Sequence, residues 1–191
     1  ILGAGITGLS VARQQLLTDS GCKVLIIEKE KKIGLHASGR NSGVLHSGIY
    51  YPSETLKAKF CSEGGRIMGE YCQEFSLPIK RCRKVIIPKT ADEDKYLDLL
   101  HKRAGVNQAD TRIISKAELN EIEPESYSVT SRALYSPNTS VVNPHSVMKK
   151  IMSELINNDV VTAFGEYVIS ADPQCSIITT NKNVTYEYGQ L

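Results

Sequence analysis

The hydrophobic residues of this chain form short continuous runs at its start and helical repeats in its middle. An apolar stub precedes Gly3, an amphipathic segment follows it, and the run at residues 24–27 predicts a buried strand that ends in Glu28. Between residues 56 and 75, apolar positions recur every three or four residues, which predicts one face of a long helix ended by Pro78. This face holds Leu56, Phe60, Gly64, Ile67, Tyr71 and Phe75.

The middle of the chain continues with alternating strands and helices. Residues 83–88 and 111–115 are apolar runs bounded by proline or polar residues, and both predict short strands. A helix over residues 91–104 is predicted between them, and Ser115 can start another helix through a capping box with Glu118. The first of these helices is expected to turn four side chains inward, namely Tyr96, Leu97, Leu100 and Ala104.

Strands dominate the last third of the chain. A helix near residues 144–157 is predicted there, because Asn143 offers a capping side chain and Pro144 suits the first helical position. Its buried face is expected to hold Val147, Ile151 and Leu155. Extended segments are predicted at residues 133–142, 160–169, 175–180 and 184–188. This order of elements predicts an α/β nucleotide-binding domain interrupted by a mixed α+β region.

The glycines at the start of the chain have the spacing of a dinucleotide-binding βαβ unit. Gly3 permits a tight turn off the first strand, Gly5 lets the backbone approach a pyrophosphate, and Gly8 lets the helix pack close to the sheet. Glu28 lies 20 residues beyond Gly8, at the strand end where a carboxylate can accept hydrogen bonds from ribose hydroxyls. Its charge disfavours the 2′-phosphate of NADP, which leaves NAD and FAD.

Composition narrows the class of protein. The formal net charge of +2 over 191 residues gives no electrostatic footprint for nucleic acid, and no apolar run approaches the roughly 20 residues of a membrane span. The five cysteines are odd in number and lack CxxC spacing, so we expect no metal site and a reducing, cytoplasmic compartment. The sequence opens only two residues before Gly3, which predicts a fragment whose first strand is cut.

A second candidate phosphate-binding segment follows Glu28. The loop over residues 33–52 concentrates glycines, hydroxyls, an amide, a guanidinium and two imidazoles. Its glycines can expose backbone N–H groups to an anion, and Arg40 and the serine hydroxyls add further donors. A surface loop that binds nothing is the alternative interpretation.

Residues 1–75 closely resemble the FAD-dependent L-2-hydroxyglutarate dehydrogenases and oxidases, which belong to the D-amino-acid-oxidase-like superfamily. The resemblance is carried by the glycine motif, by Glu28 with Lys29, and above all by the segment over residues 38–51. It extends into Leu56-Lys57-Ala58-Lys59 and Cys61, and more loosely through residues 82–88 and 136–145. The segment over residues 38–51 is far more specific than the glycine motif.

The resemblance implies a noncovalently bound FAD, so it decides between the two dinucleotides. Gly3, Gly5 and Gly8 are implied at the pyrophosphate and Glu28 at the adenosine ribose. Further cofactor contacts are implied for Lys29, Ser38, Arg40, Asn41, Ser42, Gly43, His46, Ser47 and Gly48.

The chemistry implied is oxidation of L-2-hydroxyglutarate, or a similar 2-hydroxy acid, to the 2-oxo acid. In such enzymes the flavin takes a hydride while a base removes the hydroxyl proton. His46 is the candidate catalytic base or flavin-tuning group, since imidazole titrates near neutral pH. The alternatives for His46 are a hydrogen bond to backbone or flavin and a covalent flavin bond. The electron acceptor (oxygen, a quinone or a carrier protein) and membrane association stay open, and the location is mitochondrial if the chain is eukaryotic.

The expected fold is α/β, with a Rossmann-like FAD-binding βαβ unit and the beginning of a mixed α+β substrate domain. Residues 1–80 are assigned to the FAD-binding domain and residues 81–191 to the start of the substrate or insertion domain. The helix near residues 144–157 and the strands after it are the candidates for a return to the FAD domain. Three alternatives remain: an amine or amino-acid oxidase of the same superfamily, a truncated and inactive flavin-binding remnant, and an NAD dehydrogenase, which gives the loop over residues 38–48 no role.

Overall fold

The computed structural model describes residues 1–189, and the chain divides by its contacts into two compact units. The first unit joins Ile1–Asn41 to the stretch from Pro144 onward, and the second is Ser42–Asn143. The boundary at residue 80 refers to the domains of the family fold and stays a prediction. The helices are α1 (Ile6–Thr18), α2 (Leu56–Glu74), α3 (Ala91–Val106), α4 (Lys116–Ile122) and α5 (Pro144–Asn157). The strands are β1 (Leu25–Glu28), β2 (Val44–Leu45), β3 (Ile79–Arg81), β4 (Lys84–Ile86), β5 (Arg112–Ser115), β6 (Arg132–Ser136), β7 (Ser140–Val142), β8 (Val161–Phe164), β9 (Val168–Asp172), β10 (Ile177–Thr180) and β11 (Thr185–Glu187).

The predicted βαβ unit is confirmed in the first unit. Leu2 forms a parallel bridge with Ile27, and the Gly3 N–H donates to the Ile27 carbonyl at 2.7 Å. The chain then passes through α1 and returns as β1, which pairs in parallel with β8 on its other edge. Three extended segments therefore run in the same direction, and their carboxyl ends meet at one edge.

Helix α5 packs on α1 in this unit. It begins at Pro144, as the capping pattern predicts, and its buried face holds Val147, Ile151 and Leu155 together with two methionines. Arg13 of α1 and Glu154 of α5 form a salt bridge of 2.9 Å across the two helices. The helical period was therefore sufficient to identify the buried face of α5.

The prediction of one strand over residues 160–169 is wrong. The structure has β8 and β9 there, separated by Gly165, whose φ of +65° lies in the left-handed region. The N–H groups of Gly165 and Glu166 donate to the carbonyls of Glu30 and Glu28, which turns the chain away from β8. After the turn, β9 joins β10 and β11 in a separate antiparallel sheet.

The second unit contains two antiparallel sheets of three strands each, in the orders β2-β7-β3 and β4-β6-β5. The predicted extended segment over residues 133–142 is β6 and β7, and each of these strands is the centre of one sheet. The sequence did not predict β2 or β3, which have two and three residues. Strands of two or three residues are too short to show an alternation of apolar and polar positions. They are defined instead by their pairing with β7.

Helix α3 forms a core of this unit with Leu97, Leu100 and Ala104, which are buried beside Leu134 of β6. The prediction that Tyr96 also points inward is wrong. Tyr96 is 45% exposed, and its hydroxyl accepts a hydrogen bond from Arg103 at 3.2 Å. Leu97, Leu100 and Ala104 already fill the stripe that faces the sheet, so the neighbouring tyrosine lies outside it.

Helix α2 is the long helix that the apolar period predicts, but much of that apolar face is exposed. Leu56, Phe60 and Ile67 are exposed, whereas the buried side chains of the helix are Ala58, Tyr71 and Cys72. Neither α2 nor any other helix within residues 1–189 is long and apolar enough to cross a membrane.

Candidate functional site

The glycine turn at the start of α1 depends on two close approaches. Gly3 has a φ of +103°, a conformation that side-chain-bearing residues rarely adopt. A Cβ at Gly8 would overlap the carbonyl oxygen of Gly3 and lie 3.4 Å from Ile1. The backbones of the first strand and α1 therefore approach each other closely at Gly3 and Gly8, as the motif predicts.

The first turn of α1 presents unpaired donors. Its N-cap is Gly5, which offers no side chain, and the Ile6 N–H donates to the Ser38 hydroxyl at 3.0 Å. Within residues 1–189 the N–H groups of Thr7 and Gly8 have no hydrogen-bond acceptor. Free N–H groups and the helix dipole together favour an anion at this position.

Glu28 is buried at the end of β1, with 8% of its surface exposed. One carboxylate oxygen accepts from the Ala4 N–H at 2.6 Å and the other from the Glu30 N–H at 2.9 Å. Each oxygen can accept further hydrogen bonds, so the carboxylate keeps capacity for two ribose hydroxyls. The sequence did not indicate the two backbone contacts.

These groups open onto a cavity of about 360 Å³. It lies wholly within the first unit and is lined by Leu2, Gly3, Gly5, Ile27, Glu28, Lys29, Gly34, Leu35, His36, Ser38, Glu166, Tyr167 and Val168. A carboxylate beside a helix N-terminus, with a turn that a left-handed glycine forms at Gly3 and a close approach at Gly8 that a Cβ would block, fits the ribose and pyrophosphate of a dinucleotide.

The loop after β1 closes on itself beside this cavity. The N–H groups of Gly39 and Arg40 donate to the His36 carbonyl, and the Asn41 side-chain amide donates to the carbonyls of Ala37 and Ser38. A Cβ at Gly39 would overlap the carbonyl oxygen of Gly34, so the glycine permits the close turn. Asn41 thus has a structural role in addition to the cofactor role that was expected.

Two basic residues that were expected to contact the cofactor, Lys29 and Arg40, are exposed. Neither Lys29 nor Arg40 forms a salt bridge with another described residue, and only Lys29 lines the cavity. His36 Nε2 lies 2.8 Å from a carboxylate oxygen of Glu30, and this hydrogen bond holds the pKa of Glu30 below its ordinary value.

The remaining expected residues, from Ser42 to Gly48, lie in the second unit. Ser42 is exposed, and the buried Gly43 has a φ of +67° and accepts a hydrogen bond from the Val142 N–H. Gly48 has a φ of +86°, and its carbonyl accepts from the side-chain amide of Asn107 at 2.8 Å. The two glycines therefore bracket β2 with turns that favour glycine.

His46, the candidate catalytic base, is exposed at the end of β2. Its ring has no hydrogen-bond partner among residues 1–189. Partial desolvation, and after it the positive charge of Lys84, lower the pKa of His46 below its ordinary value. The neutral imidazole is thereby favoured, and this is the form that can accept a proton.

Ser47 carries a buried hydroxyl oxygen with no hydrogen-bond partner within the described residues. A hidden hydroxyl without a partner is unfavourable unless a ligand or water satisfies it. Ser47 and His46 both line a second cavity of about 920 Å³, which lies wholly in the second unit. Arg66, Arg81 and Asp110 also line it, so its walls carry both signs of charge.

Two groups of residues at these cavities were missed by sequence reasoning. Glu166, Tyr167 and Val168 line the Glu28 cavity, and they were hidden inside the strand predicted over residues 160–169. Gly165 was the available signal, since a glycine inside a strand pattern often marks a break. Asn107 was also not predicted. No local sequence pattern identifies it, because the carbonyls that accept from its side-chain amide lie more than fifty residues away in the chain.

All five cysteines are free thiols, and burial raises the pKa of Cys72 above its ordinary value. Among the residues that the structure describes, no group of three His, Cys, Asp or Glu side chains is arranged to hold a metal ion.

Comparison with known proteins assigns the family. The chain is 40% identical over 151 residues to the mitochondrial L-2-hydroxyglutarate dehydrogenase of Caenorhabditis elegans, covering 78% of this chain and 34% of the relative. It thus spans about a third of the length of the relatives it matches.

Solved structures share its fold. FAD-bound, dithionite-reduced L-alpha-glycerophosphate oxidase from Mycoplasma pneumoniae superposes with a TM-score of 0.81 at 23% identity, over 94% of this chain and 48% of the other. Glycine oxidase from Geobacillus kaustophilus superposes with a TM-score of 0.84 at 16% identity, over 97% of this chain and 51% of the other. Residues 1–188 match the DAO family of FAD dependent oxidoreductases. The chain belongs to this family, and its cofactor is FAD.

Proposed function

We propose that this chain forms the FAD-binding part of an oxidoreductase that converts L-2-hydroxyglutarate, or a closely similar 2-hydroxy acid, to the 2-oxo acid. The observation that carries the proposal is the buried Glu28 carboxylate beside the unpaired N–H groups of α1. The substrate rests on the 40% identity to a relative named L-2-hydroxyglutarate dehydrogenase.

The adenosine diphosphate part of FAD is assigned to the first unit. Glu28 accepts hydrogen bonds from the ribose hydroxyls, and the N–H groups of Thr7 and Gly8 donate to the pyrophosphate. Gly5 keeps a side chain out of its path, Gly3 permits the turn, Gly8 lets α1 pack close to the first strand, and Ser38 holds the first turn of α1. Lys29, Arg40 and Asn41 are proposed as further contacts at the phosphates and the ribityl chain.

The flavin end is assigned to Ser42, Gly43, His46, Ser47 and Gly48. When bound, FAD supplies the hydride acceptor for the carbon that bears the substrate hydroxyl. His46 removes the hydroxyl proton, and its lowered pKa keeps the imidazole neutral at physiological pH. The buried Ser47 hydroxyl, which lacks a protein partner among the described residues, is available to a polar group of the ligand.

Location and electron acceptor are proposed only in outline. The eukaryotic relatives are named mitochondrial, so we propose the mitochondrion for a eukaryotic source and the cytoplasm for a bacterial one. The acceptor is oxygen, a quinone or a carrier protein, and none of these leaves a distinguishing feature in residues 1–189.

FAD binding is tested by titrating the purified chain with FAD and following the flavin spectrum. We expect Glu28→Gln to weaken binding about tenfold, because the neutral amide accepts ribose hydrogen bonds less well than a carboxylate. The matched control is Glu54→Gln, which removes an exposed charge in the second unit. Equal affinity in the Glu28 variant and the wild type would contradict the ribose role.

The substrate is tested by anaerobic reduction of the FAD-loaded protein. We expect L-2-hydroxyglutarate to bleach the flavin, and D-2-hydroxyglutarate, glycine and sarcosine to leave it oxidised. Bleaching by glycine or sarcosine instead would favour the amine oxidase alternative. A loaded protein that no substrate bleaches would indicate the inactive flavin-binding remnant.

A further inference from the structure

The turn after β8 forms one wall of the Glu28 cavity, and this wall includes a second buried carboxylate. Glu166, Tyr167 and Val168 line the cavity there, and Glu166 is only 4% exposed. The Glu166 N–H donates to the carbonyl oxygen of Glu28 at 3.0 Å. The wall is therefore attached through its backbone to the end of β1.

Three residues of the hairpin β10–β11 hold the Glu166 side chain. One carboxylate oxygen accepts from the Thr180 hydroxyl at 2.6 Å and from the Tyr186 hydroxyl at 3.1 Å, and the other lies 3.3 Å from the Lys182 ammonium. The Thr180 hydrogen bond, aided by Tyr186 and Lys182, holds the pKa of Glu166 below its ordinary value despite desolvation. A buried carboxylate with this set of partners stays ionised without an uncompensated charge.

The same hairpin fixes the backbone of the next residue. The Tyr167 N–H donates to the side-chain oxygen of Asn181 at 2.8 Å, and the Tyr167 carbonyl accepts from the Asn181 N–H at 3.0 Å. The Tyr167 side chain is 54% exposed and lines the cavity. Two consecutive residues of the wall are thus fixed by one hairpin that itself lies outside the βαβ unit.

From these contacts we propose that Glu166 is a positioning residue for the cofactor. Held by β10–β11, it fixes the Tyr167–Val168 wall and so sets the affinity of the cavity for the adenosine diphosphate part of FAD. The inference rests on the proposed function, since it takes the Glu28 cavity as the FAD site. Removing a partner of Glu166 lets the turn relax, and the ligand must then order the wall as it binds.

The test is calorimetric titration of the 191-residue chain with FAD and, separately, with ADP. We expect Glu166→Gln to raise the dissociation constant for both ligands about tenfold at unchanged stoichiometry. Tyr186→Phe removes the hydroxyl that donates to Glu166 and keeps the ring, and it is expected to raise the dissociation constant about threefold. The matched control is Glu187→Gln, an exposed charge on the same strand, and it should bind like the wild type.

A general loss of folding has a different signature: irreversible misfolding lowers the fraction of protein that binds, and reversible unfolding raises the dissociation constant only by the reciprocal of the folded fraction, which circular dichroism of each variant measures. If Glu166→Gln and Tyr186→Phe both show only this loss of folded protein, the positioning role is overturned. Wild-type affinity in both variants overturns it as well. If the wild type binds FAD but the variants match it, only this inference fails. If the wild type binds neither FAD nor ADP, the assignment of the Glu28 cavity fails and this inference fails with it.

Discussion

At the scale of single residues, two helical glycines have opposite surroundings. Gly8 of α1 faces the carbonyl oxygen of Gly3, which a Cβ would overlap. Gly64 of α2 has no atom within 4 Å of a Cβ position. Replacing the glycine with alanine should therefore have opposite effects on the free energy of unfolding at the two positions.

We expect Gly8→Ala to lower the free energy of unfolding by about 2 kcal/mol or more, since backbone on both sides must shift. Gly64→Ala should raise it by up to about 1 kcal/mol, because alanine restricts the unfolded chain in a helix that has room for the methyl group. Urea unfolding followed by circular dichroism measures both changes. A neutral Gly8→Ala would show that the close approach of α1 is not required.

The ionisation of Glu118 makes the free energy of unfolding depend on pH in the acid range. It accepts hydrogen bonds from the Ser115 N–H, from Arg112 and from the Ser115 hydroxyl, and these hold its pKa at about 2, against an ordinary value of 4.5. The pKa is lower in the folded state, so the stabilisation is complete above 4.5 and is lost as the pH falls through about 2.

Accordingly, Glu118→Gln should be less stable than the wild type at neutral pH, and the gap should shrink as the pH falls from 4.5 towards 2. Urea midpoints measured across this range test the trend. Glu121→Gln, an exposed charge on the same helix, serves as the control and should show no such convergence. A constant gap for the Glu118 variant would mean that its carboxylate is not held by these donors.

At the scale of elements, local sequence patterns predicted the helices that are stabilised by local interactions. The capping box at the start of α4 and the helical period of α5 are both present as the sequence indicated. Strands β2 and β3 were not predictable, because they exist through pairing with β7 at long sequence separation. The site divides in the same way: the glycine turn and Glu28 were identified, whereas the wall at Glu166 depends on the hairpin β10–β11.

Asn107 joins several of these elements within the second unit. Its side-chain amide donates to the carbonyls of Gly48 and Tyr51, and its own carbonyl accepts from the Ser62 hydroxyl of α2. The end of α3 thereby fixes the turn that follows His46.

We expect Asn107→Ala to lower the free energy of unfolding by about 2–3 kcal/mol, since two carbonyls lose their buried donor. Hydrogen exchange over residues 46–51 should accelerate, which reports on the turn itself. Asn120→Ala on the exposed face of α4 should change stability by less than about 0.5 kcal/mol. Unchanged exchange in the Asn107 variant would argue against its control of the turn.

At the scale of the whole molecule, the contacts of the chain divide after Asn41, within the segment most specific to the family. The specific segment over residues 38–51 therefore contributes to both units. Its sequence alone gave no sign of the division, because glycines and serines occur on both sides of Asn41.

Ligand binding should stabilise the chain through the adenosine half of the cofactor. At a ligand concentration of about 100 times the dissociation constant, linkage adds about 2.7 kcal/mol, which corresponds to a rise in melting temperature of about 5–10 °C. We expect FAD and ADP to produce such a rise and riboflavin, which lacks the adenosine diphosphate, to produce little. A larger effect of riboflavin than of ADP in thermal scans would contradict the assignment of the Glu28 cavity.

The two backbone contacts of Glu28 limit how the cofactor preference of this fold can be changed. The carboxylate joins the glycine turn at Ala4 to the segment after β1 at Glu30. Exchanging Glu28 for a small or basic residue, so that the site admits a 2′-phosphate, would also release that connection. A redesign for NADP therefore has to supply new acceptors for the N–H groups of Ala4 and Glu30 before altered specificity can be observed in a folded protein.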